Sequence, residues 1–177
     1  MTAANKKKAS AVPEGYHSLT PVLTVAGGAA AIDFYTKAFG AKVLMRMDGP
    51  GGSVGHAELQ IGDSRLMMAD EYPTMGSYGP KHYGGSPQSL NLYVADVDAV
   101  VARAVAAGAT VKRPVTDQFY GERSGSVVDP FGHTWHVGTH IEDVPPDEMQ
   151  RRAEEWARRT RCSGVIGPTC KGGRSEG

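Results

Sequence analysis

Three places in the 177-residue chain gather side chains that do chemistry. The first is His56-Ala57-Glu58-Leu59-Gln60, where strand alternation puts His56, Glu58 and Gln60 on one face and Ala57 and Leu59 on the other. A histidine and a carboxylate two residues apart serve as paired metal ligands or as a base with its orienting group; they also suit a polar, solvated sheet face. The second place is Trp135 to His140, where His136 and His140 share one strand face and Trp135 and Val137 take the other, with His133 in the turn before, a structural position. The third is Asp117-Gln118-Phe119-Tyr120-Gly121-Glu122-Arg123-Ser124-Gly125. Phe119 and Tyr120, with Tyr93 and Trp135, suit stacking on a planar or extended ligand that Gln118, Glu122, Arg123 and His136 orient. The structural alternatives are core packing for the rings and an ion pair from Arg123 to Glu122 or Asp117 that stiffens the loop.

Other chemistries find little footing. Ser124-Gly125-Ser126 is not a nucleophile elbow, and the glycine-rich turns lack the lysine and helix start of a phosphate loop. Gly27-Gly28 precedes a helical pattern and offers at most a weak anion site. Cys162 and Cys170 have no histidine pattern beside them and imply neither a disulfide framework nor structural zinc. The 19 basic and 19 acidic side chains give zero net charge, which argues against nucleic acid or an acidic membrane as partner, and Lys6-Lys7-Lys8 reads as a solvated tail. The uncharged residues 19–32 are broken by Pro21, Gly27 and Gly28, so no membrane span is expected. No apolar run follows the lysines, so no signal peptide is expected and the location expected is cytoplasmic.

The strands that hold these groups come in a repeat. Leu23-Thr24-Val25 corresponds to Leu92-Tyr93-Val94 at an offset of 69, and Ala38-Phe39-Gly40-Ala41 to Ala106-Ala107-Gly108-Ala109 at 68. Gly62 before Arg65-Leu66-Met67-Met68 answers Gly132 before Trp135-His136-Val137 at 70. Such near-constant spacing describes a duplicated unit. Each unit reads as strand, helix and three strands. The first has strands at 17–25, 42–47, 53–61 and 65–69, with a helix at 29–39 closed by Gly40. The second has strands at 89–94, 110–115, 125–128 and 134–139, with a helix at 97–107 capped by Asp96 or Asp98.

The expected organisation is a tail at 1–15, one domain at 16–144, a helix at 145–160 and a tail at 161–177. Within the domain, unit one is 16–70, a linker 71–88 and unit two 89–140. The linker holds Tyr72, Tyr78, His82 and Tyr83 among glycines and prolines and is either a lid or a mobile connection. The last helix, begun by Pro145-Pro146-Asp147-Glu148, places Met149, Ala153 and Trp156 on one side, to dock on the domain or a second subunit.

The βαβββ duplication, the run Ala31-Ile32-Asp33-Phe34-Tyr35-Thr36-Lys37-Ala38-Phe39-Gly40-Ala41 and Asp129-Pro130-Phe131-Gly132-His133 resemble the vicinal oxygen chelate superfamily of glyoxalases and bleomycin-resistance proteins, over about residues 17–152. Within it, residues 56–64, 117–125 and Thr139-His140-Ile141-Glu142-Asp143 are similar to the PhnB-like branch. The resemblance implies an α+β fold of curved mixed sheets forming a funnel for a small molecule, and a homodimer. In the family's enzymes the funnel holds a divalent metal, and the ligand positions fall here at or near Thr20, Leu66, Ser89 and His136. Only His136 is a good ligand, so no metal is expected at the usual positions and no cofactor is required. Two functions therefore stay open. One is a metal-free binder using Tyr93, Gln118, Phe119, Tyr120, Arg123 and Trp135. The other is a lyase, isomerase or dioxygenase holding Zn, Ni, Mn or Fe through His56, Glu58 and His136, with Glu58 and His136 as catalytic candidates.

Overall fold

The computed structural model describes residues 9–162. Of the tails expected at 1–15 and 161–177, residues 1–8 and 163–177, with Lys6, Lys7, Lys8 and Cys170, lie outside the described residues. The architecture is α+β. Unit one holds β1 (Val22–Val25), α1 (Gly28–Phe39), β2 (Lys42–Asp48), β3 (Val54–Ile61) and β4 (Ser64–Asp70). Unit two holds β5 (Ser89–Tyr93), α2 (Val97–Ala106), β6 (Thr110–Asp117), β7 (Glu122–Val128) and β8 (Thr134–His140), and α3 (Pro146–Cys162) follows. The sheets run β1-β4-β3-β2 and β5-β8-β7-β6, each with its first strand parallel to its last and the other pairs antiparallel. Among the described residues no helix is long and apolar enough to cross a membrane.

The apolar stripe of α1 explains the packing. Ala31, Ile32, Phe34, Tyr35, Ala38 and Phe39 are buried, α1 packs on α2, and one core joins both helices to both sheets. Gly40 ends α1 in the left-handed region at φ 68°, its amide reaching back to the Thr36 and Tyr35 carbonyls. At the other end of α1 the Gly27 and Gly28 amides donate to Asp70 Oδ1 at 2.8 and 2.7 Å, and the Val54 amide donates to Asp70 Oδ2 at 2.7 Å. The anion at this helix start is thus the chain's own carboxylate. Asp96 caps α2, accepting from the Ala99 amide at 3.0 Å.

Two segments differ from the sequence expectation, and a third, the linker, carries defined turns. First, β1 begins at Val22 rather than 17, because Pro21 has no amide to extend the ladder, and the residues before it leave the sheet. Second, the expected loop 117–125 is mostly strand. Residues 118–121 alone make the turn, closed by the Gln118 amide on the Glu122 carbonyl at 2.7 Å and by Gly121 at φ 85°. Third, the linker is folded. It contains 3-10 turns at Pro73–Met75 and Pro80–Tyr83, the Gly79 amide donates to Glu71 Oε1 at 2.8 Å, and buried Pro80 sits against Gly132 in the turn before β8. The C-terminal helix docks on its own domain, with Trp156 packed 5.7 Å from the Phe119 ring and Arg152 bonded to Glu142.

Candidate functional site

Each sheet gives alternate residues to the helices and leaves an outer face. On β3 Ala57, Leu59 and Ile61 are buried, as is Val54 before the register shift at Gly55, so His56, Glu58 and Gln60 point outward, as strand parity requires. Across the ladder Glu58 is flanked by Met45 on β2 and Met67 on β4, and His56 by Met47. His56 Nε2 lies 3.5 Å from Glu58 Oε1. The Tyr16 hydroxyl, arriving from the segment that left β1, donates to Glu58 Oε2. Arg65 on β4 completes the group, its guanidinium 5.1 Å from the centre of the Tyr16 ring and its Nε donating to the Gly15 carbonyl at 3.2 Å. The Tyr16 hydrogen bond holds the Glu58 carboxyl below its usual range, against a smaller opposing effect of burial. The same bond raises the Tyr16 phenol.

The outer face of the second sheet carries Asn91 and Tyr93 on β5 and His136 on β8, with Asn91 paired to His136 and His136 to Ser126. The Tyr93 hydroxyl donates to Glu122 Oε1 at 2.6 Å, which raises its phenol pKa. Burial, then the positive charges of Arg113 and Lys112, pull His136 below 6.5, so its imidazole is neutral at pH 7 and keeps an acceptor nitrogen. Tyr120 places its hydroxyl 3.4 Å from Ser124 Oγ.

Where the starts of β1 and β5 meet the β3–β4 turn, a cavity of about 380 Å³ opens, lined among others by His17, Thr20, Leu66, Asn91, Tyr93 and Trp135. Two of the predicted ligand contacts, Tyr93 and Trp135, come together here. Trp135 is nonetheless a core residue, 3% exposed, with its ring 4.6 Å from Phe39 and its indole N–H donating to Asp129 Oδ2 at 2.9 Å. It serves the cavity as floor rather than as a free stacking ring.

Four other predicted contacts, Gln118, Phe119, Tyr120 and Arg123, stand apart from this cavity. Gln118 Nε2 donates to Thr116 Oγ1 at 2.9 Å within the β6–β7 hairpin, and Phe119 packs under α3. Arg123 forks to Asp98 at 2.7 and 2.8 Å and to Asp117 at 2.8 Å, tying the hairpin to the start of α2. The hairpin register, which carries these side chains to its tip, is the reason. His133 is structural, with Nε2 3.1 Å from the Thr24 carbonyl oxygen, and His140 lies 2.9 Å from Asp143.

The residues do not fit a metal centre within one chain. Thr20, Leu66 and Ser89 occupy three of the four positions the resemblance implies, and they offer no strong donor. The rearranged set is divided, with His56 and Glu58 on the first sheet and His136 on the second, and among the described residues no three His, Cys, Asp or Glu side chains converge. Tyr16, His17 and Arg65 escaped the sequence analysis. Arg65 shares outer parity with Met67 and was readable from strand alternation, whereas nothing periodic marks Tyr16.

The uncharacterized protein Rv0887c of Mycobacterium tuberculosis is 46% identical over 136 residues, covering 75% of this chain and 80% of that one. TioX from Micromonospora sp. ML1 superposes with a TM-score of 0.54 at 27% identity, covering 71% of this chain and 99% of its own. A gene product of Arabidopsis thaliana superposes with a TM-score of 0.55 at 28% identity, covering 72% and 99%. Residues 17–137 match the Glyoxalase/Bleomycin resistance protein/Dioxygenase superfamily, and with the paired βαβββ sheets this chain belongs to it.

Proposed function

We propose that this protein binds a small organic molecule as a cytoplasmic homodimer, in a funnel between paired sheets and without metal at the family's usual positions. What carries this function is the cavity of about 380 Å³ shared by the two units, with Leu66 and Trp135 as apolar floor and a few polar groups, His17, Asn91 and Tyr93, to orient a ligand. The dimer is supported by the uncovered outer faces of both sheets. Met45 and Met47 stand exposed beside Glu58 and His56, and a sheet from a second copy is the natural cover for them. We also place the chain in the PhnB-like branch, on the motifs at 56–64, 117–125 and 139–143.

One observation favours a second function. The 3.5 Å approach of His56 to Glu58 supplies two adjacent donors, and His136 of a second copy facing them would complete a set for Zn, Ni, Mn or Fe. The deciding experiment is metal analysis after tag-free purification and after titration with Zn, Ni, Mn and Fe(II), paired with small-molecule quenching of Trp135 fluorescence in a Trp156→Phe background. The binder predicts quenching and no stoichiometric metal. Stoichiometric metal that is lost in Glu58→Ala and His136→Ala overturns it in favour of the enzyme.

A further inference from the structure

Tyr16 lies on the outer face of the first sheet as a bound aromatic molecule would. Its hydroxyl donates to Glu58, and its ring sits beneath the Arg65 guanidinium. The segment that carries it is held lightly. The Tyr16 amide closes a turn on the Pro13 carbonyl at 3.1 Å, Arg65 Nε grips the Gly15 carbonyl, and nearby Leu19 is 87% exposed. No core residue anchors this strap, since the core cluster begins at Leu23. The partners of the Tyr16 side chain are a carboxylate and a guanidinium, with the His56 imidazole 3.5 Å from that carboxylate, a set that recognises chemistry rather than fills space.

We propose that Tyr16 is an intramolecular stand-in for the ligand, and that the site made by His56, Glu58 and Arg65 takes a neutral hydroxyaromatic molecule. This goes beyond the small-molecule function above, on a face that adjoins the cavity through Arg65, which lines both. The ligand's O–H replaces the Tyr16 hydroxyl on Glu58 Oε2, and its ring takes the place of the Tyr16 ring under Arg65. Charge selects the class. A phenolate or a carboxylate would be repelled by the Glu58 carboxylate, and a cationic ring would meet Arg65. An aromatic lacking the hydroxyl leaves the half-buried Glu58 without its donor. Met45 and Met67, on either side of Glu58, provide soft, polarisable walls that adapt to rings of different outline. Because the strap must leave before the ligand enters, the apparent affinity is reduced by the fraction of chains with Tyr16 in place.

The test is calorimetric titration of the full chain with 4-methylphenol, with toluene and benzoate as controls. Tyr16→Ala is expected to bind 4-methylphenol about tenfold more tightly than the unsubstituted protein, because the competing ring is gone. Toluene and benzoate gain nothing, and Glu58→Leu in the Tyr16→Ala background abolishes binding. In the unsubstituted protein, saturating 4-methylphenol moves the Tyr16 ring resonances to the positions of exposed tyrosine. If Tyr16→Ala does not fold, Tyr16→Phe, which keeps the ring but removes the donor, must still show a gain. Equal affinity with and without the Tyr16 hydroxyl, or binding that survives Glu58→Leu, overturns the proposal. Quenching of Trp135 by another class of molecule, with 4-methylphenol inert in every variant, also overturns it and leaves the small-molecule function standing.

Discussion

The Tyr35 hydroxyl on α1 donates to Asp129 Oδ2 at 2.8 Å, across 94 residues of sequence, and binds the first unit's helix to the second unit's last turn. Asp129 is 4% exposed and also accepts the Trp135 indole N–H and the Phe131 and His133 amides, each at 2.9 Å. Burial, reinforced by Asp129, pushes the Tyr35 phenol well above its usual range, so it remains a donor.

Loss of this carboxylate strands four buried donors. Asp129→Ala is expected to cost at least about 3 kcal/mol, and Tyr35→Phe about 1.5 to 3 kcal/mol. Urea denaturation checks both, as a lower midpoint with an unchanged slope. A double-mutant cycle should show strong non-additivity, because the two groups share one bond.

The start of α1 leaves no room for a methyl group. A Cβ on Gly28 would meet Val54 Cβ at 2.7 Å and Asp70 Oδ2 at 2.8 Å, so Gly28→Ala displaces both a core strand and the capping carboxylate. The expected loss is about 1 to 3 kcal/mol. Asp70→Ala, which removes the cap alone, is expected to cost about 0.5 to 2 kcal/mol and to speed hydrogen exchange at the Gly27, Gly28 and Val54 amides.

Met45 and Met47 share the outer face with Glu58 and His56, and Met47 is 57% exposed. If a second copy covers them, Met45→Asp with Met47→Asp converts the dimer to a monomer in sedimentation equilibrium and leaves the far-ultraviolet spectrum unchanged. An unaltered mass in the doubly substituted protein counts against that interface.

Hydrogen bonds from Arg151 and Arg152 hold the Glu148 carboxyl at about 2, below its ordinary 4.5. A carboxylate with a depressed folded pKa contributes fully above its unfolded value and loses that contribution as pH falls through the folded one. The first turns of α3 should therefore lose helicity between about pH 4.5 and 2. Circular dichroism at 222 nm checks this, and Glu148→Gln should lack that acid-dependent step.

His136 should titrate below 6.5, because burial and the nearby Arg113 and Lys112 disfavour its charged form. An imidazole C2–H titration followed by proton NMR reads the midpoint directly. Since the unfolded chain binds this proton more readily, His136 makes the fold less stable as pH falls below 6.5.

Much of the fold was legible because its signals are local. The offsets of 69, 68 and 70 residues carried the duplication, and Gly40 marked the end of α1. Period-two alternation put His56, Glu58 and Gln60 on one face, where they lie. At 117–125 local reading left two alternatives, a binding loop and an Arg123 ion pair to Glu122 or Asp117, and the pair to Asp117 is present. Arg123 is committed to Asp98 and Asp117, and Phe119 to Trp156.

By itself, the sequence determined the strands, the helices and which side chains share a face, because backbone periodicity repeats over a few residues and needs no distant partner. Tertiary structure alone decided that Asp70 caps α1, that Asp129 gathers Tyr35 and Trp135, and that Tyr16 rests on Glu58. The helix cap and the Tyr16 contact each join groups 42 residues apart, and Tyr35 lies 94 residues from Asp129. Such pairings arise only when the folded sheets bring separate elements within hydrogen-bond reach, and no local pattern encodes them.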